Sequence, residues 1–199
     1  MVTIEVFYSF QNIFCHLALD EIYALNKDYD VELLWQPFSA KAAGQSVPLA
    51  NINPDKISYI IEDAKRYAKM HNIPLTIPTN WPEEEFDPVR ITRGAMVAKD
   101  MDFLMEYNFK VFDYCWTQER NPNTEEFWRE LCDEMDVEMG EFVSKLSSPD
   151  IRERVKGIYT RGKNLGIFDT PTFVINKERF VGIDKLHQIR EILTKIAPK

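Results

Sequence analysis

Apolar and polar positions change their period several times along this 199-residue chain, and each change marks an element. Thr3, Ile4, Val6, Phe7 and Tyr8 favour extended backbone, so residues 4–8 are expected as a first strand. After a short turn, apolar residues recur at Ile13, Leu17, Ile22 and Leu25, roughly the spacing of a helix with one buried stripe. Residues 31–35 form a short apolar run. A helix separates it from the first strand, so the two are expected to pair in parallel. The run closes at Gln36-Pro37-Phe38, because proline cannot donate to the next ladder bond.

From about Gly44 to Ser148 the pattern is of another kind. Pro48, Pro54, Pro74, Pro78, Pro82 and Pro88 punctuate its first half, and the segments between them read as helices. Residues 54–70 carry Ile57, Ile60, Ile61, Ala64, Tyr67 and Ala68 at helical spacing, with Asn53 placed to cap them. Residues 89–107, 108–116 and 124–135 continue the helical pattern, the last opening on Thr124 with Phe127 and Trp128 behind it. Strand signals are nearly absent here, which predicts a helical insertion.

Mixed structure returns at the end. Residues 149–164 are helical in pattern and 172–175 form a β-branched strand. Asn176-Lys177 turns the chain into a short partner strand at 179–181. Asp184 is expected to cap a final helix through Leu193. No internal repeat or low-complexity tract is evident.

Composition narrows the function classes. The net charge of −8 speaks against a protein that grips nucleic acid by neutralising phosphates. No apolar run approaches the roughly 20 residues of a membrane helix, and the first residues lack the pattern of a secretory signal, which favours the cytoplasm. Cys15, Cys115 and Cys132 are far apart and unpaired in spacing, as suits a reducing compartment. With His16, His71 and His187 they give no metal-ligand pattern. Trp35, Trp81, Trp116 and Trp128 are expected either in the core or along an apolar cleft.

Two stretches carry candidate chemistry. Residues 7–19, FYSFQNIFCHLAL, run from strand through turn into helix. Residues 166–176, GIFDTPTFVIN, contain a proline that opens a strand. Only X-Pro bonds reach the cis isomer at small cost, so Thr170-Pro171 is a candidate cis bond. Such a bond is expected to leave the Thr170 N–H and C=O unpaired and facing outward, able to pair with an extended peptide. Between and after these lie Pro54-Asp55-Lys56-Ile57-Ser58-Tyr59 with Asp63, the turn Asn72-Ile73-Pro74-Leu75, and Phe180-Val181-Gly182-Ile183-Asp184. In this order the motifs resemble, over nearly the whole chain, the DsbA-like branch of the thioredoxin superfamily. The likeness is strongest to the kappa-class glutathione transferases and 2-hydroxychromene-2-carboxylate isomerases.

That resemblance implies an α/β fold: a thioredoxin domain formed by residues 1–43 and 149–199, interrupted by an all-helical insertion domain at 44–148, with a cleft between the two. It implies a homodimer, a small-molecule substrate and reduced glutathione as cofactor. The family has a serine at the start of the first helix, whose hydroxyl supports the glutathione thiolate. Asn12 stands there in this sequence, with Ile13 in place of the usual proline. An amide NH2 can donate to a thiolate but cannot become a nucleophile. Catalytic expectations therefore fall on Asn12 and on Cys15, which occupies the place of the second DsbA cysteine. Cofactor contacts are implied at Asn53, Lys56, Thr170, Pro171, Ile183 and Asp184, although family members often have serine where Ile183 stands. Read from the residues alone, Asn12 and Asp184 are equally at home as helix caps and Cys15 as a small buried apolar residue. A DsbA-type thiol-disulfide oxidoreductase is opposed by the missing C-x-x-C. A binding protein without catalysis is favoured by Asn12 and Ile183.

Overall fold

The computed structural model describes residues 1–40, 42–44, 52–79, 81 and 86–199. Pro48 and Pro82 lie outside the described residues. The chain opens with β1 (Val2–Tyr8), α1 (Ile13–Asp28) and β2 (Val31–Pro37). Then come α2 (Pro54–His71), α3 (Pro88–Asp100), α4 (Leu104–Trp116), α5 (Glu125–Glu134) and α6 (Met139–Leu146). It closes with α7 (Pro149–Asn164), β3 (Thr172–Ile175), β4 (Glu178–Val181), a 3-10 turn (Ile183–Lys185) and α8 (Leu186–Ile196).

The four strands form one sheet in the order β2-β1-β3-β4. β2 runs parallel to β1 through the α1 crossover, while β1 with β3 and β3 with β4 are antiparallel. Asn176 and Lys177, both at positive φ, make the tight β3–β4 turn. The stripe read from sequence on α1 is the buried one: Ile13, Leu17, Ile22 and Leu25 are all sealed from water.

Polar bonds tie the helices of the middle segment to the first strand and helix. The Tyr8 hydroxyl donates to Asn108 Oδ1 at 2.9 Å, and Asn108 Nδ2 donates to the Tyr23 hydroxyl at 3.0 Å. Trp116 Nε1 donates to the Phe10 carbonyl at 2.8 Å. Each satisfies a group that burial would otherwise leave without a partner.

The sequence reading is corrected at three places. The break in the middle helices falls at Met101–Phe103, not between 107 and 108: Asp102 adopts a left-handed φ of 63°, and Asn108 sits inside α4 with its amide in the core. Helix α6, capped by Glu138 through the Gly140 and Glu141 N–H groups, has no counterpart in the sequence reading. Of the six apolar residues at helical spacing on α2, Ala64 and Ala68 are buried. Asp184 does not cap α8; it lies inside the 3-10 turn, and its carboxylate takes the Lys185 ammonium instead.

Candidate functional site

Asn12 is the N-cap of α1. Its backbone is extended, its Oδ1 accepts from the Phe14 N–H at 2.9 Å, and its carbonyl accepts from the Cys15 N–H at 3.0 Å. The Ile13 N–H makes no hydrogen bond among the described residues, so the mouth of the helix keeps a donor where the macrodipole favours negative charge. The other end of the Asn12 amide reaches across the chain. Nδ2 donates to the Thr170 carbonyl at 2.6 Å and to Asp169 Oδ1 at 3.3 Å.

The Thr170–Pro171 peptide is cis. Its Thr170 groups are not unpaired and outward, as the sequence led us to expect. The N–H donates to Asp169 Oδ1 at 2.7 Å, the carbonyl is held by Asn12, and Thr170 is only 6% exposed. The local reason is the pair of side chains on either side: a carboxylate at 169 and an amide at 12 supply the acceptor and donor that buried backbone requires. The Pro171 carbonyl accepts from the Gly182 N–H at 2.9 Å, which sets the turn carrying Ile183 and Asp184 beside the proline.

Burial raises the Asp169 carboxyl above its ordinary pKa, while the Thr170 N–H and the Lys56 charge act in the opposite direction. Lys56 is therefore electrostatically part of this loop. Asn53 is exposed and caps α2 through the Asp55 N–H at 2.8 Å, as the sequence predicts. The structure thus gathers Asn12, Asp169, Thr170 and Pro171 by contact and Lys56 by charge, with Ile183 and Asp184 adjoining the proline. It shows Asn53 only as a cap.

The three cysteines are free and buried. Cys15 accepts from the Ser9 N–H at 3.4 Å, and burial pushes its thiol up to about 12. Desolvation likewise raises Cys115, and it takes Cys132 to about 11. Groups so shifted are thiols and not thiolates near neutral pH. Among the described residues no cluster of His, Cys, Asp or Glu fits a metal ion.

A cavity of about 410 Å³ has Gln11, the residue before Asn12, in its wall. Gln11, Trp81, Phe86, Trp116 and Arg120 are among its walls. Gln11 is fixed by donating from Nε2 to the Phe86 carbonyl at 2.6 Å, and the two tryptophans meet edge to face at 6.0 Å. Trp35 and Trp128 pack into the core, and so does most of Trp116, which is 1% exposed. Trp81 and Phe86 give this wall a flat apolar face, with Glu119, Arg120, Asn121 and Asn123 as polar neighbours. Gln11 and Asp169 escaped the sequence reading, although both stand inside the two stretches singled out. The signal was the position of each next to a marked residue.

A family model described as a DSBA-like thioredoxin domain matches residues 3–194. A 2-hydroxychromene-2-carboxylate isomerase of Pseudomonas sp. (strain C18) is 22% identical over 195 residues, covering 95% of this chain and 89% of its own. A solved 2-hydroxychromene-2-carboxylate isomerase superposes with a TM-score of 0.82 at 20% identity, over 98% of this chain and 95% of the other. The cytosolic disulfide reductase DsbM from Pseudomonas aeruginosa, solved with GSH, gives 0.67 at 14% identity, over 98% and 100%.

Proposed function

The chain belongs to the DSBA-like thioredoxin domain family, and from that premise we propose that it is an isomerase or transferase acting on a hydrophobic, unsaturated electrophile, with reduced glutathione as cofactor. One observation carries the reading. All three of the chain's thiols are buried with raised pKa values, so a nucleophilic sulfur at the mouth of α1 has to come from a small molecule. Relatives named as isomerases support isomerisation over disulfide exchange, and a fold relative solved with GSH supports the choice of thiol. A reducing compartment such as the cytoplasm belongs to the same reading, and so does a homodimer.

The residues present fit such a cofactor. The Ile13 N–H, without a partner among the described residues, suits a sulfur anion. Lys56 offers a cation to a carboxylate, and Asp169 a carboxylate to an ammonium. Thr170 offers a backbone donor and acceptor once Asp169 and Asn12 release them. Bound glutathione would supply a thiolate that adds reversibly to an unsaturated carbon, so that a neighbouring bond can rotate before the sulfur leaves again. Asn12 would orient that sulfur through its amide NH2, which is held by the Thr170 carbonyl and would have to leave it to donate to a ligand. The Trp81–Trp116 wall holds the electrophile and keeps water from it.

Ultraviolet titration of the bound thiolate tests the role of Asn12. A charge-assisted hydrogen bond contributes about 1.5 to 3 kcal/mol, roughly one to two pKa units at about 1.36 kcal/mol each. Asn12→Ala is expected to raise the pKa of bound glutathione by that amount, Asn12→Ser to preserve it, and Asn12→Asp to weaken binding by like charge. The Asn12–Thr170 bond itself favours a second reading, a binding protein without catalysis. An unchanged thiol pKa in Asn12→Ala, with a less stable helix, would select it.

A further inference from the structure

The side of the cavity that carries Trp81 is reached from α2 by a short stretch of chain, and a histidine holds that stretch down. Past the left-handed cap Asn72, residues 73–79 set Ile73, Leu75 and Ile77 half-buried against the core and then Pro78 and Thr79 in the cavity wall. Trp81 follows, its N–H donating to the Pro78 carbonyl at 3.0 Å. Among the described residues, two hydrogen bonds fasten the stretch to α1 and α4. His16 Nε2 meets the Pro74 carbonyl at 2.9 Å, and the Thr76 N–H donates to the Trp116 carbonyl at 2.6 Å.

The first of these bonds depends on the charge of the ring. A carbonyl only accepts, so Nε2 carries the proton and Nδ1 is left with a lone pair. Nδ1 is screened from water and has no partner among the described residues, and the ring lies against Phe112 with centroids 6.1 Å apart. A second proton would go on Nδ1 and create a buried N–H without an acceptor next to a new charge, a costly combination in an interior. Asp20 on α1 and Asp113 on α4 favour the charged ring, but burial is the larger effect. Residues 72–79 bring no ionisable side chain. On α2, His71 faces Glu21 at 4.0 Å, further along α1. A protonated His16 satisfies both nitrogens by turning toward water, which gives up Pro74 and leaves the Thr76 bond to hold the stretch. We propose that His16 is a positioning residue for this cavity: neutral, it clasps residues 73–79 and fixes the Trp81 side of the wall; protonated, it lets go and the wall loosens. The inference rests on the functional reading above only in taking this cavity as the binding site, and its test uses no ligand.

Acrylamide quenching of Trp81 fluorescence, taken as the difference between the parent and Trp81→Phe, reads the state of the wall in the free protein. From about pH 8 to about pH 5, the range in which histidine changes charge, the quenching constant of Trp81 is expected to rise about twofold or more. The rise should be reversible and leave the far-ultraviolet circular dichroism unchanged. His16→Gln, whose amide can donate to Pro74 but does not titrate, should keep the low value at both ends of the range. His16→Ala should show the high value at both ends, and His71→Gln should respond as the parent does. A flat profile in the parent, a response that survives His16→Gln, one that disappears in His71→Gln, or a His16→Ala protein as shielded as the parent near the alkaline end would each overturn the proposal. Lack of glutathione binding with this response intact would leave the clasp standing and remove the cofactor instead.

Discussion

Asn12 divides one amide between two tasks: its oxygen caps α1 and its nitrogen holds the Thr170 carbonyl. The cap was legible because asparagine before an apolar stripe is a local signal. The bond to Thr170 was not, since it joins residues 158 apart and depends on how the fold closes. His16, one turn further along α1, depends on packing in the same way. Its Nε2 bonds the Pro74 carbonyl at 2.9 Å, its buried Nδ1 has no partner among the described residues, and burial lowers its pKa from the ordinary 6.5. Below 6.5 the unfolded chain takes up a proton that the folded one resists, so His16 contributes stability above that pH and loses it as pH falls toward the depressed value. Asp169 has the opposite sign. Its raised carboxyl contributes stability at low pH that is lost as pH rises through its folded pKa. In urea unfolding between pH 5 and 8, His16→Gln should lack the decline that the parent shows below about 6.5. Parallel curves for the two proteins would show that His16 is not held neutral.

The elements with clear punctuation were read correctly. Proline at the first position of α7, the two-residue turn between β3 and β4, and the β-branched run of β3 each carry a local cause. The α3–α4 boundary was placed at Asn108, whereas the amide of that residue bridges the hydroxyls of Tyr8 and Tyr23 in the core. Asp102, the residue that turns the chain, carries a weaker mark than glycine. Close contact between α3 and α4 rests on Gly94: a Cβ there would fall on the Tyr107 hydroxyl, which donates to the Ile91 carbonyl at 2.9 Å. Gly94→Ala is therefore expected to destabilise by about 1–3 kcal/mol through overpacking, measured by denaturant unfolding. Tyr107→Phe in the same chain should return part of that loss, because it removes the nearest of the clashing atoms and leaves the ring carbon behind it. A neutral Gly94→Ala would mean the helices are free to separate.

On the scale of the molecule, the sheet and the middle helices meet around the first strand and helix, and the candidate site lies at that junction. Tyr8, Phe10, Gln11 and His16 each bond a residue between 74 and 116. The order of motifs made this architecture legible, since a thioredoxin-like sheet split by helices needs only the ends of the chain to be strand-forming. What the order of motifs could not show is that the backbone groups next to Pro171 are already satisfied from within. A ligand that pairs with Thr170 has to exchange with Asn12 and Asp169, so binding is expected to be moderate in strength. The central claim is that the reactive sulfur belongs to a ligand and not to the chain. Calorimetric titration of the protein with reduced glutathione tests it most directly. The account predicts saturable binding in the micromolar to millimolar range, about −4 to −8 kcal/mol, unchanged by Cys15→Ala. Absence of binding heat well into the millimolar range, or binding that disappears with Cys15, would contradict it.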